Sequence, residues 1–75
     1  MTDRLSNLDV LNAVYELQQR DGLVPTVREL GLHLGVTGPS VQRKLNALVA
    51  DGYLTRKANQ PRTLALTPAG RSALA

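Results

Sequence analysis

The sequence predicts an α+β fold that is mainly α: a three-helix bundle with a C-terminal β-hairpin and a short terminal helix. Three observations carry this expectation. Apolar residues recur at helical spacing in three segments between Asn7 and Asp51. After Tyr53 the spacing switches to period two. Glycine or proline punctuates the chain at Gly22, Pro25, Gly35, Gly38, Gly52, Pro61 and Pro68.

The first helix is predicted over Asn7 to Asp21. Leu8, Leu11, Val14 and Tyr15 recur at helical spacing, and Leu17 widens the stripe. Ser6 or Asn7 can cap its start, and Gly22 ends it. Leu23-Val24-Pro25 is extended, because a residue before proline avoids the α region. Thr26 then opens a helix of about eight residues. Thr26-Val27-Arg28-Glu29 fits a capping box, in which hydroxyl and carboxylate each satisfy a backbone N–H at the helix start. Val27, Leu30 and Leu34 point one way, and Gly35 stops the helix. Gly31 within it costs roughly 0.5–1 kcal/mol relative to alanine, and close approach of the third helix is the expected reason.

Val36-Thr37-Gly38-Pro39 reads as a tight turn leading to a third helix from about Pro39 to Asp51. Val41, Leu45 and Leu48 form its apolar stripe with Val49 beside them, and Gly52 is the expected C-cap. Tyr53–Lys57 and Arg62–Leu66 read as two strands, with the turn between them at residues 58–61. Two strands alone are marginal, so the hairpin must pack on the helices. Thr67 caps a terminal helix of about four residues, with Pro68 at its first position. Helices two and three, joined by a short turn, make a helix-turn-helix candidate. The hairpin that follows is a wing, and the whole is a winged helix-turn-helix.

The chain has 75 residues, enough for a single domain over 1–75. It has no Cys, which rules out disulfides and thiolate metal sites. No apolar run approaches the roughly 18–20 residues that span a bilayer, and the start at Met1-Thr2-Asp3-Arg4 lacks the basic opening and apolar stretch expected of a signal peptide. A cytoplasmic location is expected, on the nucleoid when DNA is bound. Tyr15 and Tyr53 are the only aromatics, which leaves no platform for stacking bases and argues against single-strand or RNA recognition.

The net charge of +3 is unevenly spread. Residues 1–35 carry Arg4, Arg20 and Arg28 against Asp3, Asp9, Glu16, Asp21 and Glu29. Residues 36–75 carry Arg43, Lys44, Arg56, Lys57, Arg62 and Arg71 against Asp51 alone. One basic face offered to a polyanion explains this asymmetry, and so does a charged face kept for solubility.

Gly22-x-x-Pro25-Thr26-x-x-Glu29-Leu30-x-x-x-Leu34-Gly35-Val36 resembles the DNA-binding domain of LexA-type repressors. Val36-Thr37-x-x-Ser40-Val41-x-Arg43-x-Leu45, with Leu48 and Asp51-Gly52-Tyr53-Leu54, is similar to winged-helix repressors more widely, including the MarR type. Leu66-Thr67-Pro68-Ala69-Gly70-Arg71 looks like the segment after the wing in that broader group. The resemblance implies duplex DNA binding. It departs from LexA-type domains in a turn before the third helix that is one residue shorter, and the self-cleaving Ser/Lys domain of that family is not carried over.

In a helix-turn-helix the second helix lies in the major groove and presents its N-terminal residues to base edges. With Val41, Leu45 and Leu48 inward at 100° per residue, Pro39, Arg43, Asn46 and Ala50 point outward. Ser40, Gln42, Lys44 and Ala47 flank them. The expected base contacts are Arg43 to guanine, Gln42 to adenine and Ser40 to several bases. Lys44 and Asn46 belong to the same face, although such a face can also be merely solvated. Thr26, Arg28 and Thr37 are candidate phosphate contacts at helix N-termini, while the two threonines can equally be caps. Arg56, Lys57 and Arg62 surround the wing, where they can meet phosphates or a narrow minor groove, or deter edge pairing of the hairpin.

No catalytic constellation is visible, since the chain has no Cys, a single His at His33 and no glycine-rich phosphate loop. The expectation is a transcriptional regulator, a repressor, that binds double-stranded DNA, without enzymatic activity, cofactor, metal or small-molecule ligand. A homodimer on DNA is the natural assembly. The alternative is a winged-helix module that docks a partner protein.

Overall fold

The computed structural model describes residues 5–57 and 63–75. The expected turn at 58–61 and Arg62 lie outside the described residues. The elements follow in the order α1 (Asn7–Asp21), α2 (Val27–Leu34), α3 (Gly38–Ala50), β1 (Leu54–Thr55), β2 (Ala65–Leu66) and α4 (Pro68–Leu74).

Capping chemistry sets the helix starts. Before α1, the Ser6 hydroxyl accepts the Asp9 N–H at 3.0 Å, and the Asp9 carboxylate accepts the Ser6 N–H at 3.1 Å. Thr26 and Glu29 make the same reciprocal pair at α2, at 3.1 and 2.8 Å, as the four-residue pattern predicts. α1 and α2 end at Gly22 and Gly35, both at φ 71°, the left-handed region that glycine enters without strain.

α3 runs one residue ahead of expectation at both ends. Gly38 lies inside its first turn with Pro39, and Asp51 is the C-cap. Gly52, at φ 84°, is the residue just beyond. Its N–H donates to the Val49 carbonyl, and the Tyr53 N–H reaches back to Leu48 at 2.9 Å, which closes the helix end.

The core gathers Val10, Leu11, Ala13, Val14 and Leu17 of α1, Leu30 of α2 and Val41, Leu45 and Leu48 of α3, with Leu54 and Leu64 from the hairpin. Leu8 and Tyr15, expected in the α1 stripe, are 52% and 40% exposed. The buried stripe is centred on Val10, Val14 and Leu17, and these two residues lie beyond its edge on the helical wheel.

The strands are shorter than the alternation suggests. Leu54 pairs with Leu66 and Thr55 with Ala65, antiparallel, and the ladder stops there. Beyond it the Lys57 N–H donates to the Thr63 hydroxyl at 3.0 Å, so a side chain takes over from the ladder. α4 spans seven residues rather than four, capped by the Thr67 hydroxyl on the Gly70 N–H at 3.0 Å. It packs against α1 and β2. Among the described residues no helix is long and apolar enough to cross a membrane.

Candidate nucleic-acid interface

The interface candidate is built by α2, the turn after it, α3 and the base of the hairpin. Gly31 sets the approach of α2 to the turn. A Cβ there would lie 2.9 Å from the Val36 carbonyl oxygen and about 4.0 Å from Gly38 N. The obstacle to a side chain is therefore the turn backbone, not the body of α3 as the sequence suggested. The Val36 N–H returns to the Gly31 carbonyl at 3.0 Å, which locks the turn.

α3 then presents the face its wheel predicts. Pro39, Arg43, Asn46 and Ala50 are exposed, and Ser40, Gln42, Lys44 and Ala47 are half-buried on its flanks. Val41, Leu45 and Leu48 are buried. This division follows from one fact: the i, i+4, i+7 stripe anchors the helix on α1 and α2, so the opposite side faces solvent.

The flank toward the hairpin holds a polar cluster. Arg56, just after β1, donates through Nη2 to Asn46 Oδ1. The Gln42 amide admits two settings. One points Nε2 at Asn46 Oδ1 at 3.2 Å. The other turns the amide oxygen toward Arg56, where it accepts from both Nη1 and Nη2 at 2.7 Å. A guanidinium carries only donors, so oxygen inward satisfies the Arg56–Gln42 pair at the loss of the Gln42–Asn46 bond, whereas nitrogen inward keeps that bond and sets Nε2 against the Arg56 donors. The sequence supplies each member of this cluster separately. Gln42 and Asn46 stand at the i, i+4 spacing that lets side chains meet, but nothing local announces a partner ten residues further on.

The threonines differ. Thr26 uses its hydroxyl as a cap. Thr37 occupies the cap position of α3 without a side-chain cap bond, and its hydroxyl donates to Ser40 Oγ at 3.2 Å. That pair sits at the N-terminus of the exposed helix. Arg28 is exposed in the first turn of α2, and Lys57 is exposed at the end of the hairpin's first arm.

Arg20, in the acidic half, is treated differently. Arg20 is paired with Asp21 at 2.8 Å, and this hydrogen bond, with the carboxylate's charge, holds the guanidinium pKa above its ordinary value. Among the described residues Arg43, Lys44 and Lys57 form no ion pair, so their charge is presented to solvent. His33 is a surface residue 4.0 Å from Glu16. Among the described residues no cluster of three or more His, Asp or Glu could hold a metal ion.

The order of elements, the two-rung hairpin after α3 and the exposed polar face meet in a sequence match: residues 2–62 match the MarR family. The chain belongs to the MarR family. Among solved structures, this MarR-family chain resembles MosR, described as a transcriptional regulator of M. tuberculosis. The TM-score is 0.69 at 28% identity, covering 93% of this chain and 50% of that one.

Among curated proteins it is similar to LexA repressors. That of Lactobacillus delbrueckii subsp. bulgaricus is 38% identical over 68 residues, covering 89% of this chain and 33% of the relative. That of Lactiplantibacillus plantarum is 34% identical over 74 residues, covering 97% and 35%. The MarR-family chain thus spans about a third of the length of the curated relatives it matches.

Proposed function

We propose that residues 1–75 act as one sequence-specific, double-stranded DNA-binding module of a transcriptional repressor, working on nucleoid DNA in the cytoplasm. α3 enters the major groove, and the hairpin lies on the backbone or in the adjacent minor groove. The observation that carries this reading is the exposed face of α3. It offers Arg43 and Asn46, flanked by Ser40, Gln42 and Lys44, with Arg56 and Lys57 beside it. Such a face carries hydrogen-bonding groups for base edges and charge for phosphates, and no aromatic or leucine anchor for a protein pocket. The relatives named as repressors and the neighbour described as a transcriptional regulator support the same reading.

The residues divide by task. Arg43, Gln42, Asn46 and Ser40 meet base edges, and Lys44 and Thr37 meet phosphates beside the helix. Arg28 and the Thr26 end of α2 face the flanking backbone. Lys57 and Arg62 serve the wing. One module of this size covers about 600–1,000 Å² on DNA, so useful affinity calls for a homodimer on two half-sites or for an array of copies.

The test is a fluorescence-anisotropy titration of random-sequence duplex with the wild-type protein and with an Arg43→Ala/Lys57→Ala variant, at about 50 and 200 mM salt. The expected result is binding that weakens steeply with salt and is lost in the variant. A folded wild-type protein that ignores duplex at the lower salt overturns the reading. That outcome favours a protein-docking module, for which the exposed Leu8, Leu23 and Leu32 are the anchors.

A further inference from the structure

We propose that Arg56 is a positioning residue that sets which base edge α3 reads, an inference that rests on the DNA-binding reading above. In the setting that turns the Gln42 oxygen inward, its guanidinium takes up the amide oxygens of Gln42 and Asn46 together. An amide has one acceptor and one donor end, and adenine is read by using both, against N6 and N7. With their oxygens turned toward Arg56, Gln42 and Asn46 leave their N–H donors for the groove. Arg43, exposed beside them, is also donor-only.

Apart from Ser40, whose hydroxyl both donates and accepts, the reading face is thus a surface of donors. The base edges that match it are the acceptor edges, O6 and N7 of guanine and O4 of thymine. This differs from what Gln42 implies alone, where a free carboxamide suits adenine. The difference comes from a side chain outside the helix, at the base of the hairpin, which also ties the wing to α3.

The placement of the three residues supports this arrangement. Gln42 and Asn46 are one turn apart on the flank nearest the hairpin, so one planar fork meets both oxygens. The β1–β2 ladder and the packing of buried Leu54 hold the start of the Arg56 segment against α3. A lysine at this position would keep the charge and lose the fork.

The experiment selects binding sites from a randomised duplex library with the wild-type protein, Arg56→Ala, Arg56→Lys and Gln42→Ala, each checked for folding by circular dichroism. The wild type is expected to enrich guanine or thymine at the positions under α3. Arg56→Ala frees the amide oxygens, and one or two of those positions should shift toward adenine by at least about five-fold in relative affinity. Arg56→Lys should shift the same way while keeping the salt dependence of the wild type. Gln42→Ala should lose the guanine or thymine preference at one position, which tests the donor assignment even if Arg56→Ala does not fold. A wild type with no salt-sensitive duplex binding overturns the DNA-binding reading, and this proposal with it. Selected sites identical for wild type and the folded Arg56 variants, or adenine under Gln42 in the wild type, overturn the role of Arg56 alone.

Discussion

A Cβ at Gly70 would lie 2.2 Å from the carbonyl oxygen of Tyr53 and 3.2 Å from a methyl of Leu66, so α4 meets the start of the hairpin backbone to backbone. The contact explains why a glycine stands inside a helix of seven residues. It also joins the last helix to the element that follows α3.

Gly70→Ala is expected to destabilise the protein. The obstacle is a backbone atom, which cannot swing aside, so α4 must shift and surrender its packing. Overfilling of this kind costs about 1–3 kcal/mol, and each kcal/mol lowers Tm by about 4–8 °C in a domain of this size. Thermal unfolding followed at 222 nm measures it. An unchanged Tm would show that α4 can move away from Tyr53 without cost.

Gly31→Ala separates helix propensity from fit. In an open helix the change gains about 0.5–1 kcal/mol. Here the new methyl meets Val36 O at 2.9 Å, and the turn is held by its own hydrogen bond to Gly31. A net loss of about 1 kcal/mol is expected, read as a lower urea midpoint. A raised midpoint would mean that the turn relaxes freely.

Thr26→Ala tests whether the hydroxyl caps α2 or holds a phosphate. The capping bond to Glu29 N predicts a stability loss of about 1 kcal/mol. Duplex affinity per folded molecule should stay unchanged, and Thr26→Ser should restore the stability. An affinity loss in a fully folded sample would assign the hydroxyl to DNA instead.

Two leucines should behave oppositely. Leu45→Ala removes a fully buried side chain from the centre of the core, at a cost of about 2–5 kcal/mol. A domain this small holds only a few kcal/mol in reserve, so a largely unfolded protein is expected. Leu32, 77% exposed on α2, should tolerate alanine within about 0.5 kcal/mol. Chemical denaturation of the two variants checks both.

Local rules made the helices legible. The bounds of α1 and the capping box of α2 follow from windows of a few residues, and the outward face of α3 follows from three buried positions. Leu8 and Tyr15 were misplaced because a wheel gives the direction of a stripe but not its width, which depends on what α2, α3 and α4 cover. Strand length was overestimated for a similar reason: alternation continues past Thr55, while the ladder ends where Thr63 captures the Lys57 backbone. Gly70 and Tyr53, and Arg56 with Gln42 and Asn46, are non-local pairs. No spacing rule links residues ten or more apart whose meeting depends on how the hairpin folds back.

Thr67 does more than start a helix. Its hydroxyl accepts from Gly70 N and donates to the Gly52 carbonyl at 2.6 Å, and its N–H reaches Tyr53 O at 3.2 Å. The chain therefore leaves the helical body at Gly52 and rejoins it at Thr67, through one knot of bonds. That knot closes the base of the excursion, and Leu54 and Leu64, buried in the core, seat its two arms. Insertions or deletions at its far end need not disturb the helices, because doubling a loop costs only about 0.6 kcal/mol in closure entropy. The reach of this arm can thus change from one relative to another while the body that carries it stays the same.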